Sequence, residues 1–139
     1  MSAPELDRLR RVPLFADLDE EGLRSLADIA TEFDAAHGHV LMYKGQAGSG
    51  MFIIEEGSVR VEIPSGDPVA LGPGEFVGEL SVLADAPRMA RVCVEEPLRA
   101  LAISRNDLNA LLEREPSIAV AMLRSLARRF AGVEVGGSA

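Results

Sequence analysis

Between residues 37 and 103 short apolar runs rich in β-formers alternate with glycine, and no other feature restricts the possible folds as strongly. HVLMYKG, GMFIIEEGSVRVEI, PVALGPGEF and ARVCVEEPLRALAI read as strands, with Gly45, Gly48, Gly50, Gly57, Gly66, Gly72 and Gly74 at their joints. VRVEI (59–63) alternates by face, as a strand with one buried side must. PSGDP (64–68) has the residues of a hairpin tip. Many short strands at this spacing predict a barrel or a jelly roll.

The flanks change character. Residues 1–36 read as helix, with Asp19 as N-cap and Leu23, Leu26, Ala27, Ala30 and Phe33 at helical spacing. Ahead of them, VPLFADL (12–18) forms an apolar turn expected to plug one end of the sheet. After the strands, SRND (104–107) resembles a capping box, with Ser104 as the cap. Leu108, Leu111 and Leu112 follow. Pro116 then suits the first turn of another helix, which carries Ile118, Met122, Leu123, Leu126, Ala127 and Phe130 and ends at Gly132. The expected organisation is one α+β domain over residues 1–131, with 132–139 a disordered tail. The apolar stripe of the last helix is either a homodimer seam or packed on its own sheet.

Composition narrows the function. At 47% hydrophobic and 26% charged residues the chain is globular, and no apolar run is long enough to span a bilayer. The N-terminus has no signal-peptide core, and Cys93, the single cysteine, excludes an internal disulfide. A cytoplasmic protein is expected. Fourteen basic residues against 22 acidic ones give a net charge of −8, which argues against nucleic acid as a partner. A small anion needs only a few local donors and is not excluded.

Catalytic patterns are missing. Ser49, Ser58, Ser65 and Ser81 lack a histidine partner at a telling spacing, and GSGM and EGSV do not make a GxSxG elbow. His37 and His39 would share a face if on a strand, but two ligands do not make a metal site, and VLMYKG offers no glutamate to join them. The simpler reading of HGH is a turn entering a strand. No enzyme, no metal site and no cofactor are expected.

One stretch remains, GEFVGELSVLADAPRMARV (74–92). Gly78 permits a sharp turn and close approach of a ligand. ELSVLAD can form one helical turn whose first amides, near Leu80 and Ser81, suit a phosphate. Pro87 stiffens the approach to Arg88, which can add charge-assisted hydrogen bonds to the same anion. Glu79, an acceptor when ionised, fits a neighbouring hydroxyl such as a ribose 2′-OH. On spacing alone, an ordinary Glu79–Arg88 salt bridge tying a loop across a sheet is the simpler reading.

This stretch resembles the phosphate-binding cassette of the cyclic nucleotide-binding domain family, which includes the catabolite activator protein, regulatory subunits of protein kinase A and cyclic nucleotide-gated channels. VPLFADLDEEGL is similar to the family's helical entry, KGQAGSGMFIIEEGSVRVEI to its early strands, and the two closing helices to its last two, so the likeness spans residues 10–131. It implies a double-stranded β-helix, a jelly-roll-like β-roll, flanked by N-terminal helices and two C-terminal helices. It implies a cAMP or cGMP ligand, with cAMP favoured. Gly78, Glu79, Leu80 and Ser81 would open the cassette helix, Glu79 would take the ribose 2′-OH, Arg88 the exocyclic phosphate oxygens, and the backbone at Met89 and Ala90 would close the phosphate cup. Arg124, Ser125 or Arg128 would meet the purine. Met89 departs from the family, which usually has Ser, Thr or Ala there, so a hydroxyl contact to phosphate is lost. No recognition helix follows Phe130, which suggests a stand-alone sensor acting on an unknown protein partner. The rival reading is a degenerate domain that keeps the fold, binds no nucleotide and serves as a protein-interaction module.

Overall fold

Strands form within the glycine-punctuated runs, but Gly57, expected at a joint, lies inside the strand Gly50–Glu62, and Gly48 lies outside the described residues. A computed structural model describes residues 3–46, 50–62, 66–78, 90–125 and 127. The chain divides into two compact units, one from Ile29 to Asn109 and one from its two ends, through Asp28 and from Ala110.

The first unit is an antiparallel sheet of six strands: β1 (Ala30–Ala35), β2 (Val40–Met42), β3 (Gly50–Glu62), β4 (Val69–Leu71), β5 (Phe76–Val77) and β6 (Arg91–Ser104). The order is β1-β6-β3-β4, with β2 also on β6 and β5 also on β3. The long strands β3 and β6 pair from Gly50↔Ser104 to Glu62↔Arg91. β3 and β4 pair antiparallel through Val61↔Val69, on either side of PSGDP (64–68), whose first two residues lie outside the described residues.

The β3–β6 register shifts midway. β3 advances five residues from Ile54 to Val59 while β6 advances six from Ala100 to Val94. A one-residue offset exchanges the two faces of a strand. Phe52 and Ile54 thus face the core in the first half of β3, and Val59 and Val61 face it in the second. That core holds Met42, Ile54, Val59, Val77, Val92, Val94, Leu98 and Ala100, with Phe33 and Phe52 against it, their ring centroids 5.2 Å apart. Cys93 is buried, on the face of β6 opposite this cluster.

Gly57 sits at the shift with φ 85°, and a Cβ there would lie 2.1 Å from the Pro97 carbonyl oxygen. Only glycine allows both that backbone and that approach. Pro97 is tolerated in β6 because the regular ladder is broken opposite it.

The second unit is helical: α1 (Ala3–Arg10), a 3-10 turn at Pro13–Phe15, α2 (Glu20–Ile29), the end of α3 (Arg105–Arg114) and α4, which runs from Pro116 through 125. Asp19 caps α2, its carboxylate accepting from the Gly22 amide at 2.7 Å. Ser104 Oγ accepts from the Asp107 amide at 3.1 Å and caps α3. Leu6, Leu9, Leu14, Phe15, Leu23, Leu26, Ile118 and Met122 are buried. On α4, Leu123 is left 65% exposed and Val120 45%. Gly132 and the expected tail lie outside the described residues.

One expectation is corrected. Ala30 and Phe33 do not continue the helix; α2 ends at Ile29 and Ala30–Ala35 form β1, paired with β6 from Ala30↔Ile103 to Ala35↔Leu98. Ala30 and Phe33 happen to fall at helical spacing from Leu26, but Thr31 and Phe33 favour strands and the exposed edge of β6 offers a ladder.

Gly57→Ala should cost roughly 1–3 kcal/mol, since it adds a clash to a strained backbone. Gly45→Ala, at φ 86° but with nothing within 4 Å of its Cβ, carries only the conformational cost. Urea denaturation of both variants checks this; equal losses would remove the Pro97 contact from the account.

Candidate functional site

The suspected phosphate loop leaves β5 and returns as β6, and β3 holds both ends. Upstream, Phe52↔Val77 and Ile53↔Phe76 pair β3 with β5, and both β5 side chains are buried. Just before them a turn is latched to the same strand: the Gly74 amide donates to the Ile54 carbonyl at 2.8 Å, and the Ile54 amide donates to the Glu75 carbonyl at 2.8 Å. Glu75 also closes its own turn, Oε2 accepting from the Gly72 amide at 2.6 Å. Downstream, Arg91 opens β6 opposite Glu62.

Of the residues singled out in the sequence, Gly78 and Ala90 are described, and both are partly buried at the two mouths of the loop. Gly78 has φ 92°, the left-handed conformation that a sharp turn out of β5 requires. Glu79, Leu80, Ser81, Arg88 and Met89 lie outside the described residues. So does the side chain of Arg128. Arg124 lines a cleft of 630 Å³ in the helical unit, together with Asp17, Leu18, Ser117, Ile118 and Val120. Ser125 is buried, and its hydroxyl has no hydrogen-bond partner among the described residues.

The structure adds a group of charges that the sequence reading missed. β3 and β6 turn Val59, Val61, Val92 and Val94 to the core, which puts Arg60, Glu62, Arg91, Cys93 and Glu95 on the opposite face. Arg91 Nη1 donates to both oxygens of Glu62, at 2.9 and 3.0 Å. Arg60 donates to Glu62 through Nη2 at 2.9 Å and Nε at 3.3 Å, and to Glu95 through Nη1 at 3.0 Å. The Cys93 thiol lies 3.9 Å from Glu62 Oε1. The hydrogen bonds from Arg91 and then from Arg60 hold the Glu62 carboxyl below its ordinary range, and bonding to Glu62 raises both guanidinium groups. VRVE and RVCVE mark these positions only as alternates of apolar residues, and do not say which charge meets which across the strands.

HGH forms the expected turn. The Gly38 amide donates to the Val94 carbonyl at 2.9 Å, His37 Nδ1 bonds the Glu95 carbonyl, and His39 stands against the Phe33 ring at 6.2 Å. No group of three or more His, Cys, Asp or Glu able to hold a metal occurs among the described residues, and none of their helices is long and apolar enough to cross a membrane.

Glu62 gives a test of the charge network. A carboxyl whose folded pKa is depressed stabilises the fold above its unfolded value, about 4.3, and that stability is lost as pH falls through the lower folded value. The stability gap between the native protein and Glu62→Gln should therefore be full at neutral pH and close on acidification below the ordinary glutamate range. Denaturant titrations across that range check it; a gap independent of pH would mean that the charge of Glu62 is not what stabilises.

The comparisons agree with this geometry. Residues 33–115 match the family model described as the cyclic nucleotide-binding domain. A cyclic nucleotide-gated potassium channel of Mesorhizobium japonicum is 34% identical over 108 residues, covering 78% of this chain and 30% of the channel. A CRP-like cAMP-activated global transcriptional regulator of Mycobacterium tuberculosis is 28% identical over 127 residues, covering 88% of this chain and 57% of the regulator. The chain thus spans less than two thirds of the length of either relative. Among solved structures, the N-terminal domain of a transcriptional regulator from Streptomyces coelicolor superposes with a TM-score of 0.77 at 36% identity, covering 91% of this chain and 94% of that one. The sheet, its terminal helices and the matched residues together place the chain in the cyclic nucleotide-binding domain family, a regulatory and non-catalytic type of domain with a β-roll fold.

Proposed function

We propose that the domain is a cytoplasmic sensor of a 3′,5′-cyclic purine nucleotide, cAMP in preference to cGMP, held by the loop between β5 and β6. The observation that carries the reading is the seat of that loop: it leaves β5 through Gly78 at φ 92°, returns at Ala90, and has both flanks on β3. Its sequence supplies an anion's partners. In this reading Gly78, Glu79, Leu80 and Ser81 open a short helical turn with free amides, Glu79 accepts from the ribose 2′-OH, Arg88 pairs with the phosphate, and the backbone of Met89 and Ala90 completes the cup. The relatives, one a cAMP-activated regulator and one a cyclic nucleotide-gated channel, favour the same ligand class. No further cofactor is required, and neither nucleic acid nor membrane is a partner. Binding shifts a population, and the helices after Ser104 pass the shift to a protein partner. The exposed Val120 and Leu123 on α4 support a homodimer through that helix.

Calorimetric titration of nucleotide-free protein with cAMP and then cGMP tests the reading. Saturable heat is expected, and Arg88→Ala should weaken it by at least about tenfold, the value of one charge-assisted hydrogen bond. Glu79→Ala should penalise cAMP more than 2′-deoxy-cAMP; equal losses would contradict the ribose contact. No heat from either nucleotide with folded protein would leave the protein-interaction module as the function. Sedimentation as a monomer at roughly tens of micromolar, the range where weak contacts show, would remove the dimer.

A further inference from the structure

We propose that Glu62 is a positioning residue for nucleotide binding, acting through Arg91 to fix the point where the loop rejoins the sheet. The inference rests on the nucleotide-binding reading above. Both ends of the loop are held by ladder bonds and buried side chains, Val92 and Val94 at the downstream end, where a charged clamp is added. The upstream end is held by backbone ladder bonds and buried apolar side chains, Phe76 and Val77 on β5. The downstream end begins at Arg91, the first residue of β6, and Glu62↔Arg91 is the last β3–β6 pair among the described residues. A terminal pair of a ladder frays most easily, and here a side-chain clamp lies across it: both Glu62 oxygens bond one Arg91 nitrogen.

The clamp is itself braced. Glu62 is bonded by Arg60 on its own strand, and Arg60 by Glu95 on β6, so charges alternate as Glu95, Arg60, Glu62, Arg91 across the two strands. Cys93 stands beside Glu62 on the same face. Removing Glu62 leaves Arg60 and Arg91 on one face without the anion that both share. Arg88 lies three residues before Arg91, so its Cα is within roughly 11 Å of that anchor even in a fully extended chain. A displaced Arg91 therefore shifts the residue on which the phosphate reading depends.

The sign of the effect separates positioning from simple charge. Deleting a carboxylate near an anion site raises the local potential, so by field alone Glu62→Ala would tighten the nucleotide. Positioning predicts the reverse.

The experiment is calorimetry with cAMP at about 0.15 M salt, where the Debye length is near 8 Å, on native protein, Glu62→Ala, Arg91→Ala and the double variant. Glu62→Ala should weaken binding about tenfold, the upper part of the range for residues that touch no ligand. In the Arg91→Ala background the same change should cost nothing further, because Glu62 acts through Arg91. Asp34→Asn, which removes the charge from the 3.3 Å pair to Arg99, midway along β6, should leave affinity unchanged and controls for a general loss of stability. If the alanine variant does not fold, Glu62→Gln serves in its place. Unchanged or tighter binding on loss of Glu62, or additive losses in the double variant, overturns the proposal. If the native protein binds no nucleotide, the functional reading and the affinity claim fall together. Amide exchange at Arg91–Val94 then decides the anchor alone: faster in Glu62→Ala supports it, and unchanged exchange refutes it.

Discussion

The pairing of β3 with β6 is the constraint on which the rest of the sheet depends. Among the described residues, β1 and β2 hang on β6, and β4 and β5 hang on β3. Short strands of two or three residues, such as β2, β4 and β5, cannot nucleate a sheet of their own. They persist because a long, already twisted ladder offers them an edge. The ladder in turn is possible because both strands are strong β-formers on their core face, with valine at 59, 61, 92 and 94.

A long ladder of this kind creates a problem of faces, and the offset around Gly57 resolves it. In the half near β5, Met51, Ile53, Leu101 and Ile103 are buried on the face opposite the core cluster, so both sides of the sheet are apolar there. In the half near β4 the opposite face carries Arg60, Glu62, Arg91 and Glu95. The residues of β3 change parity between the halves while those of β6 do not. Gly57, packed under the Pro97 carbonyl, is where that parity change is absorbed. One strand can thus serve a two-sided core at one end and a half-exposed sheet at the other.

This division explains what could be read in advance. Glycine at the joints, the Asp19 and Ser104 caps and Pro116 at the head of α4 act locally, through backbone conformation or a hydrogen bond spanning three residues, and each was legible from its own few letters. Gly78 belongs with them: its left-handed φ is what a glycine before the cassette run predicts. The helix-to-strand change at Ala30 was not legible, because Leu26, Ala30 and Phe33 keep helical spacing across it and only the distant β6 decides against the helix. The clamp between Glu62 and Arg91 was invisible for the same reason. Its partners are 29 residues apart in sequence, and the register that joins them passes through an offset that alternation alone does not reveal.

The acidity of the chain acquires a structural sense from the same register. A net charge of −8 opposes an anionic ligand at long range, so any such site must be built from local donors. Among the described arginines, Arg60, Arg91 and Arg99 are each bonded to a carboxylate on the sheet, to Glu62, Glu95 or Asp34. Their charge is spent within the protein, on exposed pairs worth little as stability but effective in fixing which residues sit side by side. A phosphate ligand would then be served by amides and by an arginine of the loop itself, against a background in which the neighbouring cations are already committed. In that arrangement the sheet charges would supply geometry and the loop attraction, so a change in Glu62 and a change in Arg88 would act on the same ligand by different physics.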